Sequence, residues 1–197
     1  MNLYLRLLFM LLTSPFRPRI EASGPCRTVF HCLPTDMDIY GHMNNARYLA
    51  ILDLGRLDLL LQSRKLGIFL KRRWYPVVAA ETIRFRESLK LFQRFEVETT
   101  PLGRDERTLF VQQKVRRRGK LVAEATIRLS IQSWGTGTVS PVELIEALGT
   151  EPSQAVLPAW VVSWITIPTA NNGYATPIPV GLKSAEACKS ASTSPIQ

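Results

Sequence analysis

Apolar residues crowd the segment from Ala46 to about Lys65, where Tyr48, Leu49, Ile51, Leu52, Leu54, Leu57, Leu59, Leu60 and Leu61 recur on more than one helical stripe. A helix that is apolar nearly all round is a buried one. Asn44 or Asn45 is a natural N-cap for it, and Gly67 is expected to end it. Asp53 and Arg56, three apart, are spaced to pair along its surface. Gly55 costs a helix interior about 1 kcal/mol relative to alanine, so close packing against a sheet is expected there.

Beyond this helix the period changes from 3.6 to 2. Val77, Ala79, Ile83 and Phe85 fall on one strand face and Thr82, Arg84 and Arg86 on the other. Phe95, Val97 and Thr99 alternate with Glu96, Glu98 and Thr100 before a turn at Gly103-Arg104-Asp105. Leu109 to Val115 forms the next strand, Arg118-Gly119-Lys120 the next turn, and Ala123, Ala125, Ile127, Leu129 and Ile131 alternate cleanly after it. Strands joined by short glycine-containing turns pair antiparallel. With residues 26 to 33 as a first strand, the pattern is α+β, one long helix against an antiparallel sheet. Ser140-Pro141-Val142-Glu143 carries the N-cap, first-turn proline and third-position glutamate of a helix start, and Gly149 stops that helix after Leu148. Pro158 to Ile165 supplies another turn or two. The resulting division is an apolar and basic segment over residues 1–25, a domain over 26–150, a short helical extension over 151–167, and a disordered tail over 168–197 whose Ser, Thr, Ala, Asn, Gly and Pro show no apolar periodicity.

Composition adds one soluble domain with ample apolar content and a formal charge of +9. Acidic partners suit that charge, among them CoA phosphates, acyl carrier protein and anionic lipid. No nucleic-acid-binding motif accompanies it, and no nucleic-acid partner is expected. The three cysteines, Cys26, Cys32 and Cys188, lack metal or disulfide spacing and fit a reducing, cytoplasmic compartment. Leu3 to Leu12 is too short to span a bilayer, which takes about 20 apolar residues, and no convincing signal-peptidase site follows it. Two readings stay open for residues 1–20: an interfacial anchor with peripheral membrane contact, or a helix packed on the domain or on a partner.

The chemistry concentrates in Pro34 to Tyr48, where an acid, a glycine, an imidazole and two amides precede the long helix. Asp38 and His42, one of two histidines in the chain, stand four apart. A carboxylate beside a carbonyl can deprotonate water or attack directly, and N–H groups at a helix start favour a developing oxyanion. Gly41 permits backbone geometry that a side chain would block. Asn44 and Asn45 are capping and loop-fixing residues first and substrate contacts second, and Asp36 is read as a structural cap. Tyr40 and Tyr48 are candidate substrate contacts. Glu81 falls by alternation on the apolar strand face, where a carboxylate is costly unless paired; it is either a catalytic or substrate contact, or it is turned outward by a bulge or paired with an arginine. Arg84, Arg86, Arg116 and Arg117 head the arginines available for CoA phosphate, with Arg94, Arg104, Arg107 and Arg118 behind them. No metal constellation, phosphate loop or dinucleotide fingerprint is present, and neither cofactor nor metal is expected.

The pattern D-x-D-x-x-G-H-x-N-N-x-x-Y over Asp36 to Tyr48 resembles that of the hotdog-fold acyl thioesterases, the 4-hydroxybenzoyl-CoA thioesterase-like superfamily. With Asp53-Leu54-Gly55-Arg56, Pro76-Val77-Val78 and Ile83-Arg84-Phe85-Arg86, it is similar to the thioesterase superfamily member six type. The resemblance implies a hotdog fold, a sheet wrapped around the long helix. It implies hydrolysis of acyl-CoA or acyl-ACP with Asp38 as base or nucleophile, oxyanion stabilisation by His42 and the Gly41–Asn45 backbone, and a homodimer or homotetramer. Plant acyl-ACP thioesterases have asparagine two residues before the histidine, where this chain has Tyr40. The alternative from another class is a noncatalytic acyl- or lipid-binding hotdog protein at a membrane surface.

Overall fold

The structure is a computed structural model and describes residues 2–135, 137–149 and 157–165. The expected disordered tail and Cys188 lie outside the described residues. The chain divides into two units, Met1–Leu157 and Pro158–Gln197. The described part of the second is a short helix, α5 (Ala159–Ile165), where another turn or two is expected from the sequence.

The first unit has one long central helix lying against one curled sheet, with shorter helices around them. Helix α1 (Asn2–Thr13) leads to strand β1 (Cys26–His31), the central helix α2 (Asn45–Gln62) and a short α3 (Leu66–Arg72). Strands β2 (Trp74–Phe85), β3 (Arg94–Arg104), β4 (Leu109–Arg117), β5 (Lys120–Ser133) and β6 (Gly137–Val139) follow, then α4 (Pro141–Leu148). The strands run β1-β3-β4-β5-β2 across an antiparallel sheet, and β6 pairs with the far end of β5. The expected architecture of a sheet wrapped around a buried helix is what forms.

Each start and stop has a local cause. The Asn44 side chain accepts from the Ala46 N–H and opens α2, and Ser140 accepts from the Glu143 N–H and opens α4. Arg118 and Gly119 both have positive φ, 50° and 81°, so a two-residue hairpin of the twist-matched kind joins β4 to β5. Three local expectations need correction. Helix α2 ends at Gln62 with Ser63 as its cap, and Gly67 sits inside α3 instead of closing the longer helix. The β3–β4 turn is at Asp105, whose carboxylate accepts from the Arg107 and Thr108 N–H groups; Gly103 lies in a register shift of β3. A register shift between Val78 and Ala80 reverses the alternation of β2, so Val77 lies opposite Ser130 while Glu81, Ile83 and Phe85 lie opposite Ile127, Ala125 and Ala123. Val77 and Ile83 are therefore on different faces.

The core forms where α2 meets the inner sheet face: Ile51, Leu52, Phe95, Val97, Val115 and Ile127 are all buried. Gly55 is the contact point. A Cβ there would stand 3.0 Å from Gln113 Nε2, 3.0 Å from Val97 Cγ1 and 3.2 Å from Thr99 Oγ1. Gly55→Ala gains helix propensity of about 1 kcal/mol but overpacks a full interface, which costs about 1–3 kcal/mol. The expected result in urea unfolding is a net loss of stability, and a more stable variant would contradict the packing described.

A buried polar cluster binds the N-terminal segment to this core. The Asp58 carboxylate, fully buried on α2, accepts from Arg17 Nη1 with both oxygens at 2.7 Å, from Thr28 Oγ1 at 2.5 Å and from Gln62 Nε2 at 2.7 Å. Helix α1 packs through Leu3, Leu7 and Met10, so it is docked on the domain. Beside the cluster, burial pushes the Cys26 thiol up to about 12, with the Asp58 charge acting in the same direction; burial and the Asp36 charge push Cys32 up to about 11. Cys26 and Cys32 are therefore expected to resist iodoacetamide at neutral pH. The raised values stabilise the fold fully below the ordinary thiol range. Above about pH 9 the unfolded state ionises first, so the melting temperature should fall progressively as pH rises toward 11–12.

Candidate functional site

The loop between β1 and α2 is built on its own backbone. Pro34–Asp36 forms a 3-10 turn whose Asp36 side chain accepts from the Leu33 N–H at 2.8 Å and from Arg6 of α1 at 2.5 Å. Met37 and Met43 then pair across an isolated bridge. Inside it the Asp38 N–H donates to the His42 carbonyl at 2.8 Å and the Gly41 N–H to the Asp38 carbonyl at 3.2 Å. Gly41 has φ +74°, the left-handed geometry that closes so tight a turn without a side-chain penalty. The Met43 N–H reaches the Leu89 carbonyl and the Asn44 N–H the Asp36 carbonyl, both at 2.8 Å, so the loop is fixed at both ends.

Asp38 sits at the centre of this turn. Its Oδ1 accepts from the Tyr40 N–H at 2.9 Å and the His42 N–H at 3.1 Å, and Oδ2 has no partner among the described residues. The two backbone N–H groups orient the side chain, and one oxygen is left for chemistry. Asp38 and His42 are half-buried, while Ile39 and Tyr40 at the tip are 92% and 77% exposed. Asn44 spends its side chain on the helix cap, and Asn45 is the first residue of α2. Unsatisfied N–H groups of a first helical turn favour negative charge nearby. Asp38, Gly41, His42, Asn44 and Asn45 are thus brought into one corner.

The other candidates are dispersed. Tyr48 is buried, stacks edge-on to Phe85 with centroids 5.1 Å apart, and accepts from the Leu89 N–H at 3.3 Å. Burial pushes its phenol up to about 12. Glu81 is exposed on β2, facing the same side as Ile83 and Phe85. Its charge supports the Arg56 guanidinium, which burial pulls down to about 10. Arg56 also bonds Asp53, as the spacing predicts, and donates to Gln113 Oε1 at 2.8 Å; the Gln113 amide donates in turn to the Leu52 carbonyl and Thr99 Oγ1. Gln113 and Asp58 are the polar residues that the pattern did not single out. Their signal was present in Asp58, an acid inside the run Leu57–Leu61, because a charge at a core position demands buried partners.

Two cavities lie away from the loop. An open groove of about 730 Å³ over β1, β3 and the β4–β5 hairpin is lined by Arg27, Arg94, Arg116, Arg117 and Arg118, with Phe92. Arg27 is ion-paired to Glu98 and Arg94 to Glu96, which leaves the run Arg116–Arg118 as its excess positive charge. Arg84 lies opposite Glu124 on the outer face, and neither Arg84 nor Arg86 lines this groove. A second cavity, about 410 Å³ and mostly apolar, lies along the C-terminal half of α2 and is lined by Leu57, Leu60, Phe69, Pro76 and Val78, with Asp53 and Arg56 as its charges. Neither cavity is lined by Asp38 or His42. Among the described residues no group of three His, Cys, Asp or Glu side chains is placed to hold a metal ion.

Known proteins resemble this chain in sequence and in fold. Protein THEM6 of Danio rerio is 39% identical over 82 residues, covering 40% of this chain and 39% of that protein. A probable thioesterase of Saccharomyces cerevisiae, YBR096W, is 26% identical over 119 residues, 59% of this chain and 51% of its own. The chain thus spans between about two fifths and one half of these relatives. Among solved structures, the YbaW probable thioesterase of Escherichia coli superimposes with a TM-score of 0.58 at 25% identity, over 62% of this chain and 95% of that one. The hotdog fold is common to these neighbours. A family model described as the thioesterase-like superfamily matches residues 32–165, well over half of the sequence, and the chain belongs to that superfamily.

Proposed function

We propose that the protein hydrolyses acyl thioesters, acyl-CoA or acyl-ACP, at the corner formed by the Asp38 loop and the start of α2. The observation that carries this reading is the Asp38 carboxylate, held at Oδ1 by two backbone N–H groups, with no partner for Oδ2 among the described residues. As general base, Oδ2 takes a proton from water while the water oxygen attacks the thioester carbonyl carbon. The tetrahedral intermediate collapses with cleavage of the C–S bond, and the thiolate leaves and is protonated. As nucleophile, the same oxygen would attack the carbonyl carbon and expel the thiolate, which is protonated, leaving a mixed anhydride that water then opens to the free acid and the Asp38 carboxylate. In either case the His42 side chain and N–H groups between Gly41 and Asn45 stabilise the oxyanion. The apolar cavity beside Leu57 and Leu60 suits the acyl chain, and the excess charge at Arg116 and Arg117 suits CoA phosphate.

Strand β2 supports the assembly implied by the resemblance. It is a twelve-residue strand that, among the described residues, pairs only with β5 and forms the sheet edge, and Tyr75, Val77, Val78 and Phe85 on it are about two-fifths exposed. A long apolar edge left open invites pairing with another chain, and antiparallel pairing of two β2 strands would make a homodimer. Sedimentation equilibrium is expected to give a dimer mass, or a multiple of it, for the intact protein and a monomer for Val77→Lys. A monomeric intact protein would refute the arrangement. The reaction is tested by thiol release from short, medium and long acyl-CoAs and from acyl-ACP, with Asp38→Asn as the comparison. Absence of release from every substrate would refute the hydrolytic reading.

A further inference from the structure

Helix α1 is apolar on all sides but docks through one stripe only. Leu3, Arg6, Leu7 and Met10 face the domain. Tyr4, Leu5, Leu8, Phe9 and Leu12 point away and are between 52% and 78% exposed, and Phe16, in the turn that follows, is 90% exposed. An apolar surface this large and continuous marks an interaction site, and nothing in the proposed reaction uses it.

We infer that the outer face of α1 lies on an anionic lipid surface, parallel to it. Among the described residues no helix is long and apolar enough to cross a membrane; the twelve residues of α1 make about 18 Å, against a hydrocarbon core of about 30 Å. Composition fits the headgroup boundary, with leucines for the acyl region and Tyr4, Phe9 and Phe16 as amphipathic or aromatic anchors. Charge selects lipid over a second copy of the chain. Residues 2–20 contain no acid. Arg6 and Arg17 are committed to Asp36 and Asp58, while Arg19 and Arg64 are exposed, and Arg64 donates to the Pro15 carbonyl at 3.1 Å beside the end of the helix. Two copies meeting through α1 would bring these arginines together in a protein of charge +9, whereas anionic headgroups complement them. The two committed arginines give the contact its rigidity, since the segment is ion-paired to the domain from within α1 and again just past the turn that follows it. The inference does not depend on the hydrolytic reading.

Flotation of the full-length protein with vesicles tests it. Phosphatidylcholine–phosphatidylserine vesicles are expected to carry the protein upward, and phosphatidylcholine alone to carry much less. Leu8→Glu with Phe9→Glu should lower the bound fraction about tenfold or more, with an unchanged thermal melt because both side chains are exposed. Arg19→Gln and Arg64→Gln should each lower partitioning to the anionic vesicles about fivefold. Sedimentation equilibrium of the same glutamate variant without lipid is expected to leave the mass unchanged. An intact protein that stays below both kinds of vesicle would overturn the inference, as would flotation that survives the glutamate pair. A glutamate pair that halves the sedimenting mass would assign the face to a second copy instead.

Discussion

Asparagine at position 38 is expected to lower acyl-CoA turnover by about 10²–10⁴-fold, the range a positioned general base contributes, with the fold intact. The substitution isolates the chemistry because of how the side chain is held. Its Oδ1 accepts from the Tyr40 and His42 N–H groups, and an asparagine carbonyl oxygen can accept the same two bonds. The loop geometry should survive, then, while the free oxygen that takes the proton becomes an amide nitrogen that cannot. Steady-state thiol release should show the loss in kcat, with little change in KM and an unchanged melting temperature. Turnover equal to that of the intact protein would move the reaction to another residue. A melting temperature lowered by many degrees would mean instead that Asp38 is chiefly a turn-former.

Asp58→Ala is expected to be the most damaging substitution to stability, at about 3–5 kcal/mol, the usual cost of removing one member of a buried ion pair. Four groups lose their acceptor together: both contacts of Arg17 Nη1, the Thr28 hydroxyl, the Gln62 amide and the weak donor at Cys26 Sγ. Of these, Thr28, Gln62 and Cys26 are buried, so water cannot readily substitute. Urea unfolding followed by circular dichroism would measure the loss. A change below about 1 kcal/mol would place this pair with weak surface pairs and would contradict the burial described. Arg17→Met should approach that cost, because it leaves the fully buried Asp58 carboxylate without its counter-charge, with neutral donors only.

What the sequence disclosed and what it concealed follow from the range of the interactions involved. The α2 helix is legible because its leucines recur at short spacing and because Asn44 caps it through a bond two residues long. The β4–β5 hairpin is legible for the same reason, a glycine at a turn between alternating runs. The reversal of β2 faces was not, since a single register shift near Ala79 is set by pairing with Leu129 and Arg128, fifty residues on. Helix α2 ends early at Gln62 because the chain turns through Ser63 and restarts at Leu66, where Gly67 is tolerated in a helix of seven residues. In the candidate site, the Asp38 turn is local and its residues were all picked out. The partners of Asp36 and Asp58 were not, because Arg6 and Arg17 stand 30 and 41 residues away in sequence. Arg84 and Arg86 were grouped with Arg116 and Arg117 by chemistry alone, and the groove takes in only the latter two.

The ties made by Arg17 bear on where the folding unit begins. A polypeptide trimmed to the span that matches the family, residues 32–165, would retain every residue of the Asp38 turn. It would also discard Arg17, Thr28 and the edge strand that carries Cys26, and so strand Asp58 inside an apolar core with Gln62 as its one remaining neighbour from the cluster. The boundary of recognisable ancestry and the boundary of autonomous folding are therefore different residues, and shortened versions intended for crystallisation or assay should start ahead of the first helix.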